Sequence, residues 1–238
     1  ELYSGMLLAC NRFGVDLVGG DTSSSLSGMV ISITATGRVK KEEITYRSNA
    51  NVNDLICVSG NLGAAYIGLQ ILNREKKIFI ENPDVQPDLE GSDYVLERQL
   101  KPEARGDIIQ QFRDKDIVPT SMIDISDGLA SELMHICKKS SKGCRIYENK
   151  IPIDPETVSR CEEFNLNPTV CVLNGGEDYE LLFTIKQADF EKVKEINVVS
   201  VIGHITEESA GLAMVDAGDH EVPLKARGWD SLNPDGQQ

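Results

Sequence analysis

The 238-residue sequence contains no C-x-x-C pair, no apolar run longer than a few residues and no excess of basic charge. Without a long apolar run there is no candidate for a membrane-spanning helix. Lys and Arg number 24 against 38 Asp and Glu, a formal net charge of −14. That balance argues against a nucleic-acid partner, which wants a basic face. It leaves phosphorylated small molecules open, because carboxylates can hold metal ions that neutralise both sides. The familiar nucleotide signatures are missing too: no G-x-x-x-x-G-K-[ST] loop, no H-R-D or D-F-G pair and no G-x-G-x-x-G. Only three histidines occur, none in a His-x-x-x-His setting, and no G-x-S-x-G elbow exists. Zinc chemistry and serine hydrolysis are disfavoured accordingly. Neither an initiator Met nor a signal peptide stands at Glu1, so the expectation is a fragment or a missing beginning. The six cysteines (Cys10, Cys57, Cys137, Cys144, Cys161, Cys171) sit mostly in apolar contexts, as reduced buried thiols of a cytoplasmic protein would.

What is present is an ordinary globular composition, 40% hydrophobic and 26% charged. The length suits one large domain or two small ones. Charge is unevenly spread: residues 1–53 hold five basic and five acidic side chains, and residues 54–238 hold 19 and 33. A domain boundary near Asn49–Asn53 fits that split and the polar run there. Helical periodicity is expected over 2–13, from about 64 to 72, and over 92–99, 106–114, 155–164 and 187–195, with another helix running to about Lys139. Strands are expected at Met29–Thr36, Asp54–Ser59, Ser121–Asp124 and Arg145–Tyr147, and near 180–186, 198–205 and 211–215. Residues 73–91, charged and holding Pro83 and Pro87, read as a surface loop. The class is mixed α and β.

Three segments concentrate glycine and acid beside an apolar strand. Gly19-Gly20-Asp21-Thr22 lets backbone approach a ligand and offers a carboxylate to a cation, although a plain turn has the same composition. Ile123-Asp124-Ile125-Ser126-Asp127-Gly128-Leu129 lies at a strand-to-helix junction. Ser126 or Asp127 is well placed there to cap the helix. Equally, Asp124 and Asp127 with a hydroxyl between them form an oxygen-rich set suited to Mg2+, next to a helix N-terminus that favours phosphate. Asn174-Gly175-Gly176-Glu177-Asp178-Tyr179-Glu180 sets adjacent acids before an apolar strand, which suits a solvated turn or a site where a cation or donor lies between them. Together these turns suggest phosphate held through metals, and phosphoryl transfer needs chiefly alignment and charge neutralisation.

At these residues the chain resembles the thiamine-monophosphate kinase family, of the aminoimidazole-ribonucleotide-synthetase-like superfamily. The resemblance is carried by Val18 to Thr22, Ile44 to Ser48, Val58 to Gly63, Ile123 to Leu129, Gly175 to Phe183, and Gly228-Trp229. It implies an α+β, two-domain architecture and direct transfer of the γ-phosphoryl of ATP to thiamine monophosphate, assisted by Mg2+. It further implies Asp21, Asp124 and Asp127 as metal ligands, with Gly20, Asp21, Arg47, Ser126 and Tyr3 at the nucleotide. Glu177 and Trp229 would meet the substrate, the latter through its aromatic ring. The family carries an earlier region with further metal-binding residues ahead of the helix at 2–13. Residues 1–50 would then be the rear part of an N-terminal ATP- and metal-binding domain that pairs two subunits into a homodimer. Residues 51–238 would be a complete C-terminal domain.

Overall fold

A computed structural model describes residues 1–225. The chain divides into two compact units, Glu1–Ile44 and a second that begins at Thr45.

The first unit holds one helix, α1 (Leu2–Phe13), closed by Gly14 in the left-handed conformation, whose N–H donates to the Cys10 carbonyl. The strand expected at Met29–Thr36 does not form: these residues join no ladder among the described residues. Their β-branched alternation suits a strand, but a strand exists only where a neighbour satisfies its N–H and C=O groups. Met29, Val30 and Ile33 remain exposed.

The second unit is built on a seven-stranded sheet in the order β2-β4-β1-β5-β3-β6-β7. Its strands are β1 (Leu55–Ser59), β2 (Ser121–Asp124), β3 (Lys142–Tyr147), β4 (Leu181–Ile185), β5 (Val199–Glu207), β6 (Leu212–Val215) and β7 (Glu221–Pro223). All neighbours are antiparallel except β3 and β6. Strand β1 is buried on both sides, and its side chains separate with a period of two. Ile56 and Val58 join one apolar cluster with Ile125, Leu129 and Leu133, while Cys57 joins the opposite cluster with Phe112 and Phe183. The Phe112 and Phe183 rings meet edge to face, with centroids 4.9 Å apart.

Helices supply the covering layers. Helix α2 (Ala64–Glu81) and α3 (Asp93–Leu100) share a third cluster through Ala64, Ile67, Ile71, Val95 and Leu96. The former overruns the loop expected from residue 73, because 73–81 contains no breaker and Pro83 is the first residue that stops it. Next come α4 (Gly106–Asp114), α5 (Leu129–Ser140) and α6 (Pro155–Glu163). Helix α7 (Pro168–Asn174), unforeseen from the sequence, starts at an Asn167 side chain that accepts from the Val170 N–H, with Pro168 in its first turn. Helix α8 (Phe190–Lys194) completes the set. Five of the six cysteines are buried and all six are free thiols.

Candidate functional site

Strands β2 and β4 pair so that Asp124, the last residue of one, faces Leu181, the first of the other. The two glycine-acid segments therefore leave the sheet side by side. Their pairing continues past the strands: the Ile125 N–H donates to the Glu180 carbonyl at 2.8 Å and the Tyr179 N–H to the Ile125 carbonyl at 2.9 Å. The Glu177 N–H donates to the Ser126 carbonyl at 2.8 Å. Gly176, at φ +69°, lies so close that a Cβ there would collide with the Ser126 carbonyl oxygen. Glu177 and Tyr179 themselves adopt left-handed backbone, with φ of 62° and 49°. Such conformations cost a non-glycine residue energy and persist where surrounding bonds enforce them.

Along Glu177 to Glu180 the side chains alternate between solvent and interior. Asp178 and Glu180 are 1% and 2% exposed. The Asp178 carboxylate accepts from the Gly63 N–H at 2.8 Å, at the start of α2. Burial, opposed by that bond and by Arg98, pushes its carboxyl up to about 6. Glu180 pairs with Arg98 at 3.0 Å and with Arg105, and accepts from the Ser59 hydroxyl. Arg98 also donates to the Asp178 carbonyl at 3.0 Å. Two of the acids thus hold the loop in place, leaving Glu177 and Tyr179 outward, where the Tyr179 hydroxyl donates to a Glu177 carboxylate oxygen at 3.1 Å.

The junction after β2 settles a competition left open by sequence alone. The N-cap of α5 is Gly128, and no side chain caps it. Instead Glu132, one turn into the helix and 1% exposed, reaches back so that its Oε1 accepts from the Asp127 N–H at 3.1 Å. Neither Ser126 nor Asp127 spends its side chain on the cap, and the Asp124 and Asp127 carboxylates are exposed. Burial pushes the Glu132 carboxyl up to about 7, and the nearby Asp127 and Asp124 charges add to the rise. Tyr179 is raised chiefly by burial and then by Glu177, with Asp124 and Asp127 contributing, so one acidic neighbourhood contains all these groups. Its outward donors are hard oxygens. Mg2+ is commonly held by one or two carboxylates plus phosphate and water oxygens, which suits Asp124 and Asp127. No three His, Cys, Asp or Glu side chains gather as a metal cage among the described residues.

Of the other expected site residues, Arg47 belongs to this second unit. It is exposed and follows Tyr46, whose carbonyl accepts from the Met122 N–H of β2 at 2.9 Å. Tyr3, Gly20 and Asp21 lie in the first unit. There the Tyr3 hydroxyl and the Thr22 Oγ1 are hydrogen-bonded at 2.7 Å, tying α1 to the Gly-Gly-Asp-Thr segment. Trp229 lies outside the described residues. Glu132, Arg98 and Arg105 were not foreseen. Only Glu132 carries a sequence signal, as an acid on the apolar stripe formed by Leu129, Leu133 and Ile136.

Comparison with known proteins bears on this geometry. Residues 1–39 match the family model described as AIR synthase related protein, N-terminal domain. The thiamine-monophosphate kinase of Buchnera aphidicola subsp. Acyrthosiphon pisum is 36% identical over 230 residues, covering 94% of this chain and 66% of that protein. The chain is similar to thiamine-monophosphate kinases over nearly its whole length. The Bacillus subtilis member is 28% identical over 237 residues, covering 96% of this chain and 68% of that one. A solved structure described as "AaThiL complexed with AMPPCP and TMP" superposes with a TM-score of 0.72 at 26% identity, over 96% of this chain and 66% of that one. Escherichia coli HypE, a hydrogenase maturation protein, shares the fold at 16% identity with a TM-score of 0.59, over 78% of this chain and 54% of that one. The α+β architecture of the aminoimidazole-ribonucleotide-synthetase-like superfamily is therefore the fold of this chain. The chain spans just under two thirds of the length of the first two curated relatives it matches, 66% and 65%.

Proposed function

We propose that the protein transfers the γ-phosphoryl group of ATP directly to thiamine monophosphate, giving thiamine diphosphate and ADP with the assistance of Mg2+. The observation that carries this reading is the junction of the β2 and β4 loops, which leaves the Asp124 and Asp127 carboxylates exposed and uncommitted to the fold, with Glu177 facing outward beside Tyr179. Likeness to proteins named thiamine-monophosphate kinase, and to a relative described as complexed with AMPPCP and TMP, supports it.

In this reading a phosphate oxygen of thiamine monophosphate attacks the γ-phosphorus in line. The bond to the bridging oxygen breaks, and ADP leaves with that electron pair. No side chain becomes phosphorylated. Asp124 and Asp127 would hold Mg2+, and Asp21, in the first unit, offers a cation the same hard-oxygen chemistry. Bound there, the metal would offset the negative charge of the phosphates as transfer proceeds. Ser126 and the N-terminal turn of α5 would offer donors to phosphate, as would the Arg47 guanidinium; Gly20 and Tyr3, in the first unit, are assigned to the nucleotide as well. Glu177, oriented by Tyr179, would meet the substrate, and Trp229, outside the described residues, carries a ring that suits a cationic thiazolium. The same reading assigns residues 1–50 to an ATP- and metal-binding domain through which two copies pair, residues 51–238 to the C-terminal domain, and the protein to the cytoplasm.

Isothermal titration of ATP with and without Mg2+, alongside an end-point assay for thiamine diphosphate, tests the proposal. Metal-dependent ATP binding and thiamine diphosphate formation are expected. ATP binding indifferent to Mg2+ would point to a non-catalytic nucleotide module. ATP consumption without thiamine diphosphate would point to another ATP-dependent synthetase of the superfamily.

A further inference from the structure

We propose that Glu132 is a positioning residue for this site: by accepting the Asp127 N–H from beneath, it fixes the turn ahead of α5 and leaves the two aspartate carboxylates free for a cation. The inference rests on the phosphoryl-transfer reading and extends it to a residue that touches neither substrate.

Two observations carry it. First, a helix start of this composition would ordinarily be capped by Ser126 or Asp127, since both residue types favour that role. Here Gly128 stands at the cap with φ +116°, and a Cβ there would lie 2.7 Å from the Leu173 carbonyl oxygen. The turn is thereby fixed with the aspartate side chain directed elsewhere. The Asp127 N–H, which needs an acceptor, finds Glu132 Oε1. Second, the arrangement is costly. Glu132 sits on the apolar face of α5, 1% exposed, and its Oε2 has no hydrogen-bond partner among the described residues. A buried carboxylate with one oxygen unpaired is destabilising compared with an apolar side chain of like shape. A group kept for stability alone would make better use of that space. A group kept to fix a cation-binding turn would tolerate the loss.

That contrast supplies the test. Mn2+, followed by electron paramagnetic resonance, would be titrated into the wild-type protein, Glu132→Met and Glu132→Gln, with unfolding midpoints measured in parallel. Met fills the space without an acceptor, and Gln restores one. For Glu132→Met we expect an unfolding midpoint equal to or above wild type and Mn2+ affinity weakened about tenfold or more. For Glu132→Gln we expect Mn2+ affinity within about threefold of wild type. In turnover assays the Met variant should need about tenfold more Mg2+ for half-maximal rate, with KM for thiamine monophosphate within about twofold. Wild-type Mn2+ affinity in the Met variant would overturn the proposal, as would failure of wild-type protein to bind Mn2+. A Met variant that loses stability would make Glu132 a structural residue and overturn it as well. Wild-type protein that binds Mn2+ with the expected variant shifts, yet makes no thiamine diphosphate, would defeat the kinase reading and leave the positioning role standing.

Discussion

Gly19-Gly20-Asp21-Thr22 and Gly175-Gly176-Glu177-Asp178 have nearly the same composition, and the structure treats them oppositely. A Cβ at Gly19 or Gly20 would meet no heavy atom within 4 Å among the described residues. At Gly176 it would strike the Ser126 carbonyl, and at Gly175 the Cys171 carbonyl and the Tyr66 Cβ and Cγ. The first segment carries one acid, Asp21, which is exposed. The second carries acids of two kinds, Glu177 facing out while Asp178 and Glu180 are tied into a buried network with Arg98, Arg105, Ser59 and Gly63. Glycine next to acid is thus not one signal. Its meaning depends on whether neighbouring backbone closes around it.

The largest expected difference between the two segments is in stability. Glu180→Ala takes a buried carboxylate from two half-buried guanidinium groups and from Ser59, and should lower the unfolding free energy by about 3 kcal/mol. Asp21→Asn should stay within about 0.5 kcal/mol. Urea denaturation of both variants checks this, and equal losses would erase the distinction.

Backbone substitutions come next. Gly176→Ala meets both a left-handed φ and a collision, so a loss of about 2 kcal/mol or more is expected, against about zero for Gly20→Ala. Thermal unfolding of the pair measures it, and a Gly176→Ala protein as stable as wild type would contradict the close approach.

The pH dependence is the smaller effect. Asp178 is held at about 6 against an ordinary 3.8, so the folded state retains a proton that the unfolded state has released. Its contribution to stability is complete below about pH 4 and declines as pH rises to about 6. Glu132, held at about 7 against 4.5, extends the decline to about pH 7. Asp178→Asn should flatten the lower part of that slope by about 1–2 kcal/mol, and Glu132→Gln the upper part. Unfolding midpoints between pH 4 and 8 would reveal it. A wild-type protein that gains stability across pH 4 to 6 would reverse the assigned sign.

Much of the second unit was legible because its signals are local. Ser121–Asp124 and its following helix announce themselves through a short β-prone run and an apolar stripe ending beside Lys138 and Lys139. The proximity of the 123–129 and 175–183 segments was legible only through family resemblance, since pairing of β2 with β4 is a long-range event with no local trace. The same limit explains Met29–Thr36, where propensity is present but no partner strand stands among the described residues. Residue roles within the site were partly hidden for a similar reason. Asp127 and Ser126 look like caps until Gly128 is seen at the N-cap with Glu132 holding the Asp127 N–H, and Asp178 looks like Glu177 until Gly63 and Arg98 are seen beneath it.

The central claim is that the β2 and β4 loops free Asp127 for phosphoryl transfer and do not need its side chain for folding. Turnover of ATP and thiamine monophosphate to thiamine diphosphate by wild type and Asp127→Asn, measured beside their unfolding free energies, tests it most directly. The account predicts a rate at least about 100-fold lower for the variant, with stability within about 1 kcal/mol of wild type. Near-normal turnover, or a loss of stability matching the loss of a helix cap, would contradict it.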